Sequence, residues 1–166
     1  MHASQSSFLR DPYLEWVAGE GISSLEGFGI RLLDAEIGLW PRMGGSCRGA
    51  AVHLSGRGDY ISAFLIELPA GGQSDPQRHL YESVIYVLSG RGSTSIQARG
   101  SWHSFEWSRG SLFALPLNAP YRHFNGSGAE AARLVAVTNL PMMLNCFHSP
   151  AFVFDNQFEF ADRWGD

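Results

Sequence analysis

The stretch GGQSDPQRHLYESVIYVLSG, residues 71–90, decides how this chain is read. Paired glycines and Ser74-Asp75-Pro76 mark a turn, His79 sits in a polar approach, and Ser83–Leu88 is a run of β-branched and aromatic residues closed by Ser89-Gly90. Such a run between turn signals predicts a strand. A second stretch, GSLFALPLNAPYRHFN, residues 110–125, repeats the pattern: a strand over Ser111–Leu115, a turn at Asn118-Ala119-Pro120, and another strand over Tyr121–Phe124. Alternate residues of a strand face one side, so Tyr121 and His123 share a face and Arg122 points away.

Outward from these frames, similar segments recur at Gly27–Leu33, Ala50–Leu54, Tyr60–Leu68, Ser93–Ala98, His103–Trp107 and Arg133–Thr138. Strands at this spacing predict an all-β sandwich or barrel. One short helix is expected where Asp11 can cap, Pro12 suits the first turn, and Gly19 and Gly21 stop the run Tyr13–Ala18. A helical turn is expected over Met142–Phe147, and the aromatic tail Phe152–Phe160 is expected to pack back on the sheets. Leu-Ser-Gly-Arg-Gly occurs at Leu54–Gly58 and at Leu88–Gly92, and each copy ends an apolar run without opening a helix, so both read as turns rather than phosphate loops. Arg57-Gly58-Asp59 reads as part of the first turn, not as an adhesion signal.

A chain of 166 residues is the size of one domain and buries a real core. Charged residues are only 17% of the chain, the net charge is −4, and the basic residues are scattered singly, so no basic stripe is available for nucleic acid. All twelve basic residues are arginine. Without a lysine the chain cannot form a Schiff base, hold pyridoxal phosphate or build a P-loop. Cys47 and Cys146 fit neither a metal knuckle nor a disulfide framework. The start, MHASQSSFLRDP, lacks the pattern of a secretory leader, and no stretch has the roughly 18 apolar residues of a membrane span, so a cytoplasmic protein is expected.

Residues 71–90 fit the frame G-x5-H-x-H-x3-E-x6-G and residues 110–125 fit G-x5-P-x-G-x2-H-x3-N, with Gly71, His79, Gly90, Gly110, Pro116 and Asn125 in place. These are the two motifs of the cupins, and the chain resembles a single-domain cupin over roughly residues 60–138. The resemblance implies a double-stranded β-helix, the jelly-roll barrel. Residues 1–59 would then form an N-terminal helix and strand extension, and residues 139–166 a C-terminal packing tail. It also locates the places where cupins hold a metal, which here carry Gln77, His79, Ser83 and Tyr121. Only His79 is of the usual type. Glu82 lies one position before the usual glutamate, where alternation turns it outward. His123 lies one pleat deeper than Tyr121 and is the best substitute ligand or general base.

The candidate catalytic residues are therefore His79, Tyr121 and His123. Gln77, Ser83, Phe64, Phe105 and Trp107 are candidate substrate contacts. His79, His123, Gln77, Glu82 and Tyr121 are the candidate ligands of one divalent metal, iron, manganese, nickel or zinc. Tyr86 and Phe113 read as core, and His53 and His103 as surface or satisfied core histidines. What the resemblance implies first is a metal-dependent, dioxygenase-like enzyme acting on a small organic or aromatic substrate in the barrel. A metal-free isomerase, cyclase or lyase using the same histidines and tyrosine is the alternative, and a non-catalytic ligand-binding cupin is a third reading. Cupins commonly pair, so a homodimer is expected, with Phe28, Ile30, Leu32 and Trp40 offering apolar surface.

Overall fold

A computed structural model describes residues 10–58 and 60–163. Asp59, and with it the end of the Arg-Gly-Asp tripeptide, lies outside the described residues, as does the N-terminal segment before Arg10. Helix α1 runs Pro12–Glu20. Asp11 Oδ1 accepts from the Leu14 N–H at 3.0 Å, and Gly21 ends the helix in the left-handed conformation at φ 73°. The helix continues through Gly19, and it buries Tyr13, Trp16 and Val17, one face at the i, i+3, i+4 spacing.

Ten strands follow: β1 Ser23–Gly27, β2 Gly38–Leu39, β3 Arg48–Leu54, β4 Ser62–Leu68, β5 Ser83–Ser89, β6 Arg91–Ala98, β7 Ser101–Ser108, β8 Leu112–Leu115, β9 Tyr121–Asn125 and β10 Ala132–Thr138. Seven of them form one sheet in the order β1-β3-β4-β10-β5-β8, with β2 paired to β3, and β7-β6-β9 form the second. Helices α2, Leu140–Phe147, and α3, Pro150–Phe154, close the chain. The principal core joins inward residues of both sheets, among them Phe64, Leu68, Ile85, Val87, Ile96, Leu115 and Leu134, to Trp16 of α1 and to Leu140 and Val153 of the C-terminal helices.

The motif frames have local physical causes. Gly90 turns the chain at φ 86°, and a Cβ there would lie 2.7 Å from that of Ala132. Asn125 Nδ2 donates to the carbonyls of Leu68, Pro69 and Glu130 at 3.2, 3.0 and 2.8 Å, tying β9 to the turn after β4 and the loop before β10. Both motif positions therefore serve the frame rather than the chemistry.

The expected strand over Gly27–Leu33 is not formed. The place beside β3 is taken by β1, whose five residues pair in parallel with Ala50–Leu54. Ile30 and Leu32 instead pack from a loop onto a second apolar cluster of Ile37, Ala50, Val52 and Leu65 on the outside of the large sheet. Arg133 holds that loop, donating to the carbonyls of Leu32 and Leu33 at 2.8 Å each. Trp40 is likewise internal, stacked on Phe64 with ring centres 5.5 Å apart, and it offers no surface to a partner. Phe28 is exposed.

Candidate functional site

Strand β9 contributes Tyr121, His123 and Asn125 to the interior, and its register with β6 sets Thr94 opposite His123 and Ile96 opposite Tyr121. His79 arrives from the approach to β5. Its backbone is held by the Asn118 N–H, which donates to the His79 carbonyl at 3.0 Å, and by the neighbouring bridge of Gln77 to Tyr121. His79, Tyr121 and His123 thus come together, and all three are buried.

Two hydrogen-bonded chains run through this interior. In the first, the His79 Nδ1 lies 3.1 Å from the carbonyl of Tyr81 and its Nε2 lies 3.0 Å from the Tyr121 hydroxyl. A carbonyl only accepts, so Nδ1 carries the proton and Nε2 accepts from the Tyr121 O–H. The Tyr81 ring stacks on the imidazole at 3.7 Å and 7°, which fixes the ring plane. In the second, the Trp107 Nε1–H donates to Thr94 Oγ1 at 2.9 Å, and Thr94 Oγ1 lies 2.7 Å from His123 Nδ1. His123 Nε2 is buried and meets no hydrogen-bond partner among the described residues.

Burial sets the charge of these groups. It holds His79 down at about 4, against a partial opposing effect of its hydrogen bond to the Tyr81 carbonyl, and it holds His123 down at about 3, with His79 acting in the same direction. Both rings are neutral at physiological pH. The phenols of Tyr121 and Tyr81 are pushed up by burial and stay protonated.

The remaining candidates are distributed differently. Gln77 Nε2 donates to the carbonyls of Arg42 and Asp75, at 2.9 and 3.2 Å, and so pins the loop. Ser83 is buried on β5. Glu82 is exposed, with its backbone N–H donating to Asn139 Oδ1 at 2.8 Å, so its carboxylate faces away from His79, in keeping with strand alternation. The ring of Phe64 is taken up by Trp40 and Trp16 and serves the packing of α1. Trp107 acts on Thr94 through its N–H. Phe105 and Phe113, half-buried on the outermost strands of the two sheets, meet edge to face at 5.0 Å, and Phe113 packs 6.3 Å from His123, so this pair closes the gap between the sheets beside it.

Thr94 and Tyr81 are the site residues that sequence reasoning missed. Neither occupies a motif position: Thr94 matters because of its register across from His123, and Tyr81 because the loop folds its ring onto His79.

These residues do not compose a metal centre. Both nitrogens of His79 are engaged by protein groups, Gln77 is tied to carbonyls and Glu82 faces outward. Among the described residues no three of His, Cys, Asp and Glu gather as a metal would require.

The end of the interior near His79 is covered by the C-terminal segment. The Leu80 N–H donates to the Val153 carbonyl at 2.6 Å, and Asn118 Nδ2 donates to the carbonyls of Asn156 and Phe158 at 2.9 and 2.8 Å. Phe154 stacks on Trp16 at 5.1 Å, meets Tyr81 edge to face at 5.8 Å, and lies under the Arg42 guanidinium at 4.2 Å. Four surface clefts have volumes of about 460, 580, 10 and 340 Å³, and none of these four has His79, Tyr121 or His123 in its wall.

The architecture is the cupin fold, with a short helix added at the N-terminus. The chain resembles the cupin domain of Cnp3 from Schizosaccharomyces pombe, at 19% identity and a TM-score of 0.54 over 67% of this chain and 68% of that one. It is similar to the polyketide cyclase RemF from Streptomyces resistomycificus, at 19% identity and a TM-score of 0.55 over 66% and 77% of the two chains. A Bacillus subtilis oxalate decarboxylase, described with Mn(II) centres, matches at 19% identity and a TM-score of 0.51, and there the chain covers 66% of itself but only 29% of the decarboxylase. No family model and no curated protein sequence matches the chain.

Proposed function

We propose that this chain is a cofactor-free cupin that moves a proton on a small organic molecule, in the class of isomerases, cyclases and lyases, with Tyr121 and His79 as its acid–base pair. The carrying observation is the chain of bonds from the Tyr81 carbonyl through His79 to the Tyr121 hydroxyl. As a substrate C–H bond breaks, its proton passes to the Tyr121 oxygen while the Tyr121 O–H proton passes to His79 Nε2. The imidazolium so formed keeps its Nδ1–H on the Tyr81 carbonyl. The same path in reverse returns a proton to another atom of the substrate, so no oxidant or reductant is needed. The donor set argues for this over the metal-dependent dioxygenase, because the bonds that occupy His79 are those a proton relay uses. A polyketide cyclase stands among the similar structures, which supports a reading in the cyclase class.

The reading takes a neutral substrate with an apolar body, since Phe113, backed by Phe105, packs beside His123 and the titratable groups of the site are uncharged. A homodimer through the outer face of the large sheet belongs to the same proposal. Val84, Tyr86, Leu112 and Val137 are exposed neighbours there, in register Val137 to Val84 and Tyr86 to Leu112. A cytoplasmic location belongs to the same reading; among the described residues no helix is long and apolar enough to cross a membrane.

The test is hydrogen–deuterium exchange at the α-carbons of cyclohexanone in D2O, followed by NMR. Wild type should accelerate exchange, unaffected by chelator, and Tyr121→Phe and His79→Gln should each lose about 100-fold or more. Exchange equal in wild type and both variants would end the catalytic reading and leave ligand binding. Near one divalent metal per chain, lost in the His79→Ala, His123→Ala double variant, would restore the metal-dependent reading.

A further inference from the structure

The order Trp107, Thr94, His123 fixes more than the position of a ring. Trp107 Nε1 can only donate, so Thr94 Oγ1 accepts from it at 2.9 Å. The Thr94 hydroxyl proton then requires an acceptor, and the acceptor in reach is His123 Nδ1 at 2.7 Å. With Nδ1 accepting, the proton of the neutral ring resides on Nε2. That N–H is buried and has no hydrogen-bond partner among the described residues. A buried donor left unmet is destabilising, and a ligand acceptor would relieve that. The opposite tautomer would leave the Thr94 proton without an acceptor and would give His123 Nε2 the lone pair that metal ligation needs.

We infer that Trp107 and Thr94 are positioning residues that hold His123 as an Nε2–H donor, and that the ligand of this interior presents a neutral carbonyl oxygen to it. The carbonyl is preferred over a carboxylate because, among the described residues, the guanidinium whose field reaches this interior, Arg42, is already paired with Glu20. In the proton transfer proposed above, on which this inference rests for its chemistry, the same N–H would stabilise the enolate oxygen. The Gly92 backbone supports the arrangement, since it faces Trp107 across the ladder and a Cβ there would come within 2.5 Å of the indole.

The experiment is long-range 1H–15N NMR on the full chain with 15N-labelled histidine. The resting protein should show His123 protonated on Nε2. Cyclohexanone should shift that Nε2–H signal downfield in a saturable way, while methylenecyclohexane, of the same shape without the oxygen, should not. Thr94→Val should abolish the tautomer preference and weaken cyclohexanone binding about 10-fold, and Thr94→Ser, which restores the hydroxyl, should recover both. A resting Nδ1–H tautomer overturns the inference. So does a signal that cyclohexanone fails to move, as a buried water on Nε2 would produce, or an equal response to both probes. The shift reports binding whether or not a proton is transferred, so a wild type that shows this response without catalysing exchange would overturn the proton-transfer reading and support the present inference.

Discussion

Acid should unfold this protein through its two interior histidines, by an amount that can be worked out beforehand. Each has an ordinary value of 6.5, and burial lowers them to about 4 and about 3 in the folded chain. Near pH 5 the unfolded chain therefore binds a proton at each, while the folded chain binds neither. Stability falls as pH falls wherever the unfolded state holds more protons, by about 1.4 kcal/mol per pH unit for each such group. The pair contributes a slope of about 2.7 kcal/mol per pH unit near pH 5. This stability is fully present above pH 6.5 and is lost as pH falls through about 4 for His79 and about 3 for His123. The informative quantity is a difference between variants, in which contributions common to all of them cancel. Urea unfolding at pH 7, 6 and 5 should give His79→Gln and His123→Gln each a shallower curve, the difference in slope rising to about 1.4 kcal/mol per pH unit near pH 5, and the double variant should lose both contributions. Equal slopes in wild type and double variant, or imidazole signals titrating near 6.5 in the folded protein, would refute the burial argument.

Phe154→Ala removes the stack on Trp16, the edge contact with Tyr81 and the surface under Arg42, and should cost about 3–5 kcal/mol, read as a fall of roughly 10 °C in Tm. Gly92→Ala places a Cβ 2.0 Å from the Phe124 carbonyl oxygen and 2.5 Å from the Trp107 ring, so it should cost about 3 kcal/mol or more and alter tryptophan fluorescence. Glu82→Gln, on an exposed outward carboxylate, should change stability by less than about 0.5 kcal/mol and leave ketone exchange at the wild-type rate. Val137→Asp should convert a dimer to monomers in sedimentation experiments while leaving the melting of the monomer nearly unchanged, because the side chain is exposed on the outer sheet face.

The strands after residue 47 were legible because their causes are local. Ser83–Ser89, Tyr121–Asn125 and Ala132–Thr138 alternate in or out along their length, and turn residues bound them. The failures lie where pairing partners compete. Phe28, Ile30 and Leu32 alternate like a strand, yet the place beside β3 goes to Ser23–Gly27, which carries a single large apolar side chain, Leu25.

The sequence by itself determined the frame: an all-β chain with two motif-bearing loops, a capped first helix, an outward Glu82, and His79, Tyr121 and His123 converging on one interior. The strands, the capped helix and the outward Glu82 follow from spacing and strand alternation, which need only neighbours along the chain, whereas the convergence of the three side chains is what the cupin resemblance implies. Tertiary structure alone decided what those residues are bonded to. Thr94 meets His123 through the register of β6 against β9, Trp107 reaches Thr94 across the next pairing, and Phe154 covers Tyr81 from more than seventy residues away. Register and long-range packing carry no local signature, and they set the tautomers, the burial and hence the chemistry that the interior can perform.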